Sequence, residues 1–431
     1  MRRLSHRRIL GHDLLMYPSA RTILGILLLS TCNFVAKAGD WPGWRGPTHD
    51  GQATPKQSAP VEWNESVNVL WKAEIPGRGH ASPTVVGDRI FLPTADEKKE
   101  IQSVICLDRK TGKWMWKADL HQGGFPTKGH RRKSHASSSV AWDGEHAFIN
   151  FMNHEAAHAS ALDKDGKVLW QTKLSDYVMH QGYGSSPFIY RDLVIFSADN
   201  KGGGAVVGVD RKTGKIAWKT DRPATPNYAS PVVYHIDGRD QLFMSGCDHV
   251  TSLNPLTGEK LWEIEESTTE CVVTIVTDGK RVFTGGGYPR NHVVAVMADG
   301  SGKVAWNNAT RVYVPSMLVK NGHLFATTDS GMAVCWNSAT GEEIWKERLG
   351  GEFFASPVML DNRIYATNIR GNTYVFEATP KRFKLLAENQ LGEESYASPV
   401  ICGNRLYLRV VKKEGGEHRE YLYCLGTGNP A

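Results

Sequence analysis

Asp210-Arg211-Lys212-Thr213-Gly214-Lys215-Ile216-Ala217-Trp218 is the stretch that decides the fold. Its core is a Thr-Gly, or a close variant, followed four residues later by Trp. The copies are Thr111-Gly112…Trp116, Asp165-Gly166…Trp170, Thr213-Gly214…Trp218, Thr257-Gly258…Trp262, Ser301-Gly302…Trp306 and Thr340-Gly341…Trp345. Successive tryptophans lie 54, 48, 44, 44 and 39 residues apart. A period of this size indicates a propeller or a solenoid. Units this short bury little surface alone, so the copies must share one core.

One unit reads Ala81–Val86, Asp88–Leu92, Val104–Asp108 and Lys113–Lys117. Each piece is short, rich in β-branched and aromatic residues, and bounded by turn residues. That pattern predicts a four-stranded antiparallel meander. Asp108 caps the last turn through its side chain, and Gly112 supplies the left-handed residue that a hairpin bulge needs. Ser-Pro or a relative opens each copy, at Ser82, Ser138-Ser139, Ser186, Ser230, the Cys271-Val272 region, Ser316, Ser356 and Ser398. The count is eight. The eighth copy stops after three strands at Tyr423–Gly426, while Asn68–Ile75 is an orphan fourth strand carrying Trp71. The expected fold is therefore all-β, an eight-bladed β-propeller over residues 68–426 whose last blade is closed by an N-terminal strand. Closure removes sheet edges that invite aggregation. The seventh copy is degenerate, with Leu386 where Trp is expected.

Trp71, Trp116, Trp170, Trp218, Trp262, Trp306 and Trp345 are expected to be structural. Each fills the wide gap to the neighbouring blade and places its N–H on a backbone carbonyl. Cys106, Cys335 and Cys424 share a repeat slot with Ala161, Gly208, Ser252, Val296 and Val375, so a small buried residue is wanted there. Equivalent positions on different blades lie too far apart for disulfides.

The net charge is +6, but residues 1–38 hold five of those charges, leaving +1 for the rest. A near-neutral body argues against a nucleic-acid partner. Residues 1–38 read as a signal peptide: a basic start, the apolar run Ile23–Leu29 and an Ala36-Lys37-Ala38 cleavage site. The run is too short to span a bilayer. Met16 is an alternative start, and lipid anchoring at Cys32 is the minority expectation. Residues 39–67 form an N-terminal extension.

The Asp-x-x-Thr-Gly-Lys-x-x-x-Trp phrase at Asp210–Trp218 resembles the repeat of pyrroloquinoline-quinone (PQQ) dehydrogenases, which also builds the BamB-type outer-membrane assembly lipoproteins. The resemblance covers about residues 68–426. Trp41-Pro42-Gly43-Trp44-Arg45-Gly46-Pro47 is similar to the opening of many exported PQQ-like repeat proteins. For the enzymes the resemblance implies PQQ, Ca²⁺, a vicinal disulfide and sometimes a Cys-x-x-Cys-His haem site. This sequence has neither adjacent cysteines nor that haem motif. No catalytic, cofactor-binding or metal-binding residue carries over.

His154-Glu155-Ala156-Ala157-His158 matches a zinc-protease pattern that requires a helix. The repeat phase puts it on a hairpin connection instead. Gly202–Gly204 and Gly285–Gly287 precede no helix and read as turns rather than phosphate loops. The longest insertion, His121 to His135, carries Lys128, His130, Arg131, Arg132, Lys133 and His135. It enters an innermost strand, which places it at the axial mouth, and its charge suits an anion or acidic partner. His80, His180, Tyr183, Tyr228, Glu270, Tyr313, Phe354 and Tyr396 precede the other inner strands and are expected to line the same funnel.

The expected function is an exported, non-catalytic binding protein or scaffold of the cell envelope. It would engage a protein, peptide or glycan through the axial mouth or rim, as a monomer. The alternatives are a PQQ- and Ca²⁺-dependent quinoprotein oxidoreductase and a BamB-like outer-membrane assembly factor.

Overall fold

The computed structural model describes residues 39–428. The signal-peptide reading, the cleavage site and Cys32 lie outside the described residues. Within them, 32 strands form eight separate four-stranded antiparallel sheets and no helix. These are the eight blades. Seven are consecutive meanders, blades one to seven in chain order, opening at Thr84, Ala141, Phe188, Val232, Val276, Leu318 and Val358. The eighth takes Val400–Cys402, Arg405–Glu414 and Glu417–Leu425 from the end of the chain and Val69–Ile75 from its beginning. Trp71 pairs with Cys424 across that junction, so the ring closes as the orphan strand requires.

Blades stack through one repeated contact. In five blades the outer-strand tryptophan lies on the Thr-Gly or Asp-Gly turn of the next blade. A Cβ built on Gly112 would fall 2.5 Å from Trp71, one on Gly166 2.7 Å from Trp116, and one on Gly214 2.6 Å from Trp170. These glycines have φ near +70 to +87° and are doubly constrained, by the left-handed backbone and by the indole against them. The indole N–H then donates to a carbonyl of that same turn: Trp116 to Lys164 at 2.9 Å, Trp170 to Arg211 at 3.0 Å, Trp306 to Ser338 at 2.9 Å. Trp71 and Trp345 do likewise with Arg109 and Thr379.

Two tryptophans depart from the expectation. Trp262 donates instead to Gln241 Oε1 of its own blade, and Trp218 Nε1 is buried without a partner. The small-residue slot of blade five is one residue earlier than expected. Ala295, not Val296, faces Trp306: the bulge that follows the slot residue in the other blades falls here between Ala295 and Val296, which identifies Ala295 as the slot. The six described cysteines are all free and buried. Cys106 and Cys424 sit opposite Trp116 and Trp71, as small fillers beneath the indoles.

The degenerate seventh blade is repaired from outside itself. Ala387, not Leu386, occupies the tryptophan position, since it pairs with Val375 after the same bulge. The vacant indole volume is filled by Trp63 of the N-terminal extension, which is 4% exposed. Trp63 stacks on Tyr365 with ring centroids 6.4 Å apart. In other blades the second-strand aromatic holds the same relation to its own Trp, as in Phe91–Trp116 at 5.8 Å and Phe325–Trp345 at 6.1 Å. Asn389 fixes the substitute by accepting from the Trp63 N–H at 2.9 Å and donating to the Val61 carbonyl at 2.9 Å.

The Ser-Pro openings form an interblade girdle around the axis. The Ser139 N–H donates to Ser186 Oγ, Ser186 to Ser230, Ser316 to Ser356 and Ser356 to Ser398, each at 2.8–2.9 Å. In blade five the position is Thr274, which donates to Ser316 Oγ at 3.0 Å, rather than Cys271-Val272. Proline suits the next position because the innermost strand is an edge with no partner for its N–H.

Candidate functional site

The girdle strands leave open edges facing the axis, and the extension covers them. Trp41 exchanges both backbone hydrogen bonds with Val85 of blade one, and Trp142 of blade two donates to Pro42. The chain then crosses the axis to blade seven, where Ala53 and Gly51 bond Met359. Trp44 donates its indole N–H to Thr274 Oγ1 at 2.8 Å. Arg45, 2% exposed, donates to the carbonyls of Pro357 at 3.1 Å and Asp50 at 2.7 Å, and to that of Met317. Burial pushes its guanidinium down to about 10. The Trp41–Pro47 phrase is thus a plug that closes one end of the central channel.

Above the plug lies a cavity of about 720 Å³. Trp44 and the girdle serines Ser186, Ser230, Ser356 and Ser398 form its deep end. Tyr183, Tyr228, Tyr313, Phe354, Tyr396 and His80 make the walls. His80 stacks on Tyr396 with centroids 4.3 Å apart. Burial, helped by Arg78 and Arg409, holds His80 well below the usual imidazole range, so it is neutral at pH 7. Burial likewise raises the phenols of Tyr183, Tyr228 and Tyr313 and keeps them protonated donors.

The cations sit at the rim. His130, Arg132 and Lys133 come from the 121–135 insertion, and Arg311 precedes blade six. Arg132 lies over the Phe354 ring at 5.5 Å and Arg311 over Tyr313 at 5.0 Å. Each mouth carboxylate already has partners. Glu352 is paired with Arg132. Glu270 meets His180 Nε2 at 3.1 Å and accepts from the Tyr313 hydroxyl at 3.0 Å. Asp329 accepts from the Tyr313 N–H at 2.8 Å, and burial raises its carboxyl.

Of the residues that the sequence singled out, His80, His130, Arg132, Lys133, Tyr183, Tyr228, Tyr313, Phe354 and Tyr396 line this cavity. His180 and Glu270 do not; they face one another at 3.1 Å beside Tyr313. His135 faces away, stacked on Phe125 at 4.2 Å, and Arg131 is not among the lining residues. Trp44, Arg311, Asp329 and Glu352 line it without having been anticipated. Only Arg311 carried a local signal, two residues ahead of Tyr313. The His154–His158 phrase is a hairpin, with His154 and Glu155 at φ +45° and +55°.

Ca²⁺ takes six to eight oxygen ligands, several from carboxylates. Here the three mouth carboxylates are engaged separately, and among the described residues no group of three His, Cys, Asp or Glu is placed to hold a metal ion. The donor set does not fit a calcium-centred quinone site.

His121 and His135, at the two ends of the insertion, are pushed down to about 4, chiefly by burial. The unfolded chain takes up protons at these rings below about pH 6.5 while the folded chain does not. Stability is therefore present above pH 6.5 and is lost as pH falls towards 4. His121→Asn is expected to remove about 1–2 kcal/mol of that loss, allowing for partial exposure. Urea midpoints at pH 7 and 4.5 check it; an unchanged difference between the two pH values overturns the assignment.

Among the described residues no helix is long and apolar enough to cross a membrane. A family model described as the outer membrane protein assembly factor BamB matches residues 100–319 and 289–382. BamB of Burkholderia pseudomallei (strain K96243) is 22% identical over 344 residues, 75% of this chain and 81% of that one. The polyvinylalcohol dehydrogenase of Sphingopyxis sp. (strain 113P3) is 27% identical over 225 residues, 48% of this chain. The match spans only 32% of that enzyme's length. Among solved structures, BamB from Moraxella catarrhalis superposes with a TM-score of 0.57 at 15% identity, covering 82% of this chain and 98% of that one. A europium-containing methanol dehydrogenase gives 0.64 at 11% identity, covering 90% and 98%. These two likenesses concern the fold. With repeats, register and ring closure in agreement and the family model spanning most of the propeller, this chain belongs to the BamB family of PQQ-type repeat propellers.

Proposed function

We propose that this chain is a non-catalytic binding module of the cell envelope, exported by residues 1–38, whose axial funnel takes an anionic ligand carrying a ring. The ring is an aromatic or sugar unit of a peptide or glycan. One observation carries the reading: the funnel is closed at its base by Trp44, walled by aromatics and rimmed by cations, and its own carboxylates are already paired. A cavity of this size holds a ligand of some tens of atoms, and a few charges at its rim orient it.

Two other readings have an observation each. Family membership and the extensive BamB match favour a role in outer-membrane protein assembly, with the rim holding a protein partner. The polyvinylalcohol dehydrogenase match favours a quinoprotein oxidoreductase. Calorimetric titration of the full chain separates binding from oxidation. Phenyl phosphate is expected to bind with or without Ca²⁺. PQQ is expected to show no Ca²⁺-dependent tightening and to support no alcohol-dependent reduction of an acceptor dye. Tight Ca²⁺-dependent PQQ binding with dye reduction would overturn the non-catalytic reading.

A further inference from the structure

The 121–135 insertion does more than add charge to the rim. Its first residues are tied down where the Gly123 N–H bonds the Glu100 carbonyl and the His154 N–H bonds the Gly124 carbonyl. Its last are held by Gln102 Nε2, which donates to the His135 carbonyl at 2.8 Å. Between these anchors it forms a strap across the mouth. The His130 N–H bonds the carbonyl of Gln181, in the loop leading to blade three, at 2.8 Å. Two residues on, Arg132 reaches Glu352, in the loop leading to blade seven, which lies opposite blade three in a ring of eight.

The Arg132–Glu352 pair has two properties of an exchangeable contact. Both side chains are partly exposed, at 26% and 48%, and such pairs hold weakly in water. The guanidinium is also fixed against the Phe354 ring, so its planar fork stays presented to the funnel whichever carboxylate it meets. A guanidinium binds any carboxylate or phosphate in the same two-pronged manner.

We propose that Glu352 is an internal stand-in for the ligand's anionic group. In the free protein its carboxylate occupies Arg132 and draws the strap across the mouth. A ring-bearing carboxylate or phosphate displaces it, takes Arg132, and stacks its ring among Phe354, Tyr396 and Tyr313. Arg132 is then the residue that selects anions, and Glu352 sets the threshold affinity. This rests on the funnel-binding reading above.

The test titrates the full chain and two surface variants with benzoate, phenyl phosphate and neutral benzyl alcohol. Glu352→Gln is expected to tighten binding of benzoate and phenyl phosphate roughly two- to sixfold, the fraction of time an exposed ion pair is closed. Arg132→Gln is expected to weaken both by about tenfold or more, since a charge-assisted two-pronged contact is lost. Benzyl alcohol, which has no anionic group for Arg132, should change less than either anion in both variants. Hydrogen exchange across residues 123–135 should quicken in Glu352→Gln without ligand. Unaltered anion affinity and unaltered exchange in Glu352→Gln would overturn the stand-in assignment while leaving the funnel a binding site. If the wild-type chain binds none of the three probes, the funnel reading itself fails. A preference for benzoate over phenyl phosphate, or the reverse, identifies which anion the site is shaped for.

Discussion

Trp63→Ala is expected to destabilise the propeller by about 3–5 kcal/mol, the range for deleting a large aromatic from a packed interior. The residue lies in a segment that carries no repeat, yet it is 4% exposed and stands where the seven other blades place a tryptophan of their own. Its removal leaves Tyr365 without its stacked partner, and the seventh and eighth blades lose the filler between them, while the backbone N–H of residue 63 keeps its bond to Asn389. Urea unfolding of the full chain measures the change. Trp114→Ala is the control, because Trp114 is 47% exposed and should shift stability by about 0.5 kcal/mol or less. Equal effects from the two substitutions would show that Trp63 does not substitute for the missing blade-seven indole.

Arg45→Ala is expected to cost about 2–4 kcal/mol, and the cause is different. Its guanidinium satisfies carbonyls from blades six and seven, both away from water, and one from its own turn that is partly buried. Truncation leaves those acceptors without donors, at about 1–3 kcal/mol for each buried group that water cannot reach. Arg45→Lys should recover only part, since one ammonium cannot reproduce the fork. The plug also forms the funnel's base, so a loosened plug should weaken phenyl phosphate binding as well as stability. Full recovery of both by lysine would mean that charge alone, not the fork, holds the plug.

Much of the architecture is legible in the chain because a propeller is a local fold repeated. Asp108, Thr111 and Gly112 shape a hairpin within a few residues, and Trp116 follows at fixed spacing. The orphan strand at Val69–Ile75 is legible for the same reason: it carries the repeat's outer-strand pattern without its other three strands. Register within a strand is less so. Where the one-residue bulge falls decides that Ala295 rather than Val296 stands opposite Trp306, and Ala387 rather than Leu386 opposite Val375, and bulges are set by pairing with another strand.

The funnel was partly legible. Tyr183, Tyr228, Tyr313, Phe354 and Tyr396 fall just ahead of inner strands, so their repeat phase alone puts them at the mouth. His180 and Glu270 share that phase but turn towards each other, 3.1 Å apart, and the buried carboxylate takes its donor from the Tyr313 hydroxyl. Glu352 looked like any surface acid until its contact with Arg132, 220 residues away, was visible.

The sequence by itself determined the blade count, the strand order, the closure and the docking tryptophans, because each follows from residues a few positions apart. Only the tertiary structure decided that residues 41–53 plug the channel, that Trp63 repairs blade seven, and that Arg132 crosses the mouth to Glu352. Those contacts join segments hundreds of residues apart. Their partners are chosen by which volumes and hydrogen-bonding groups the closed ring leaves unfilled, and no local pattern encodes that.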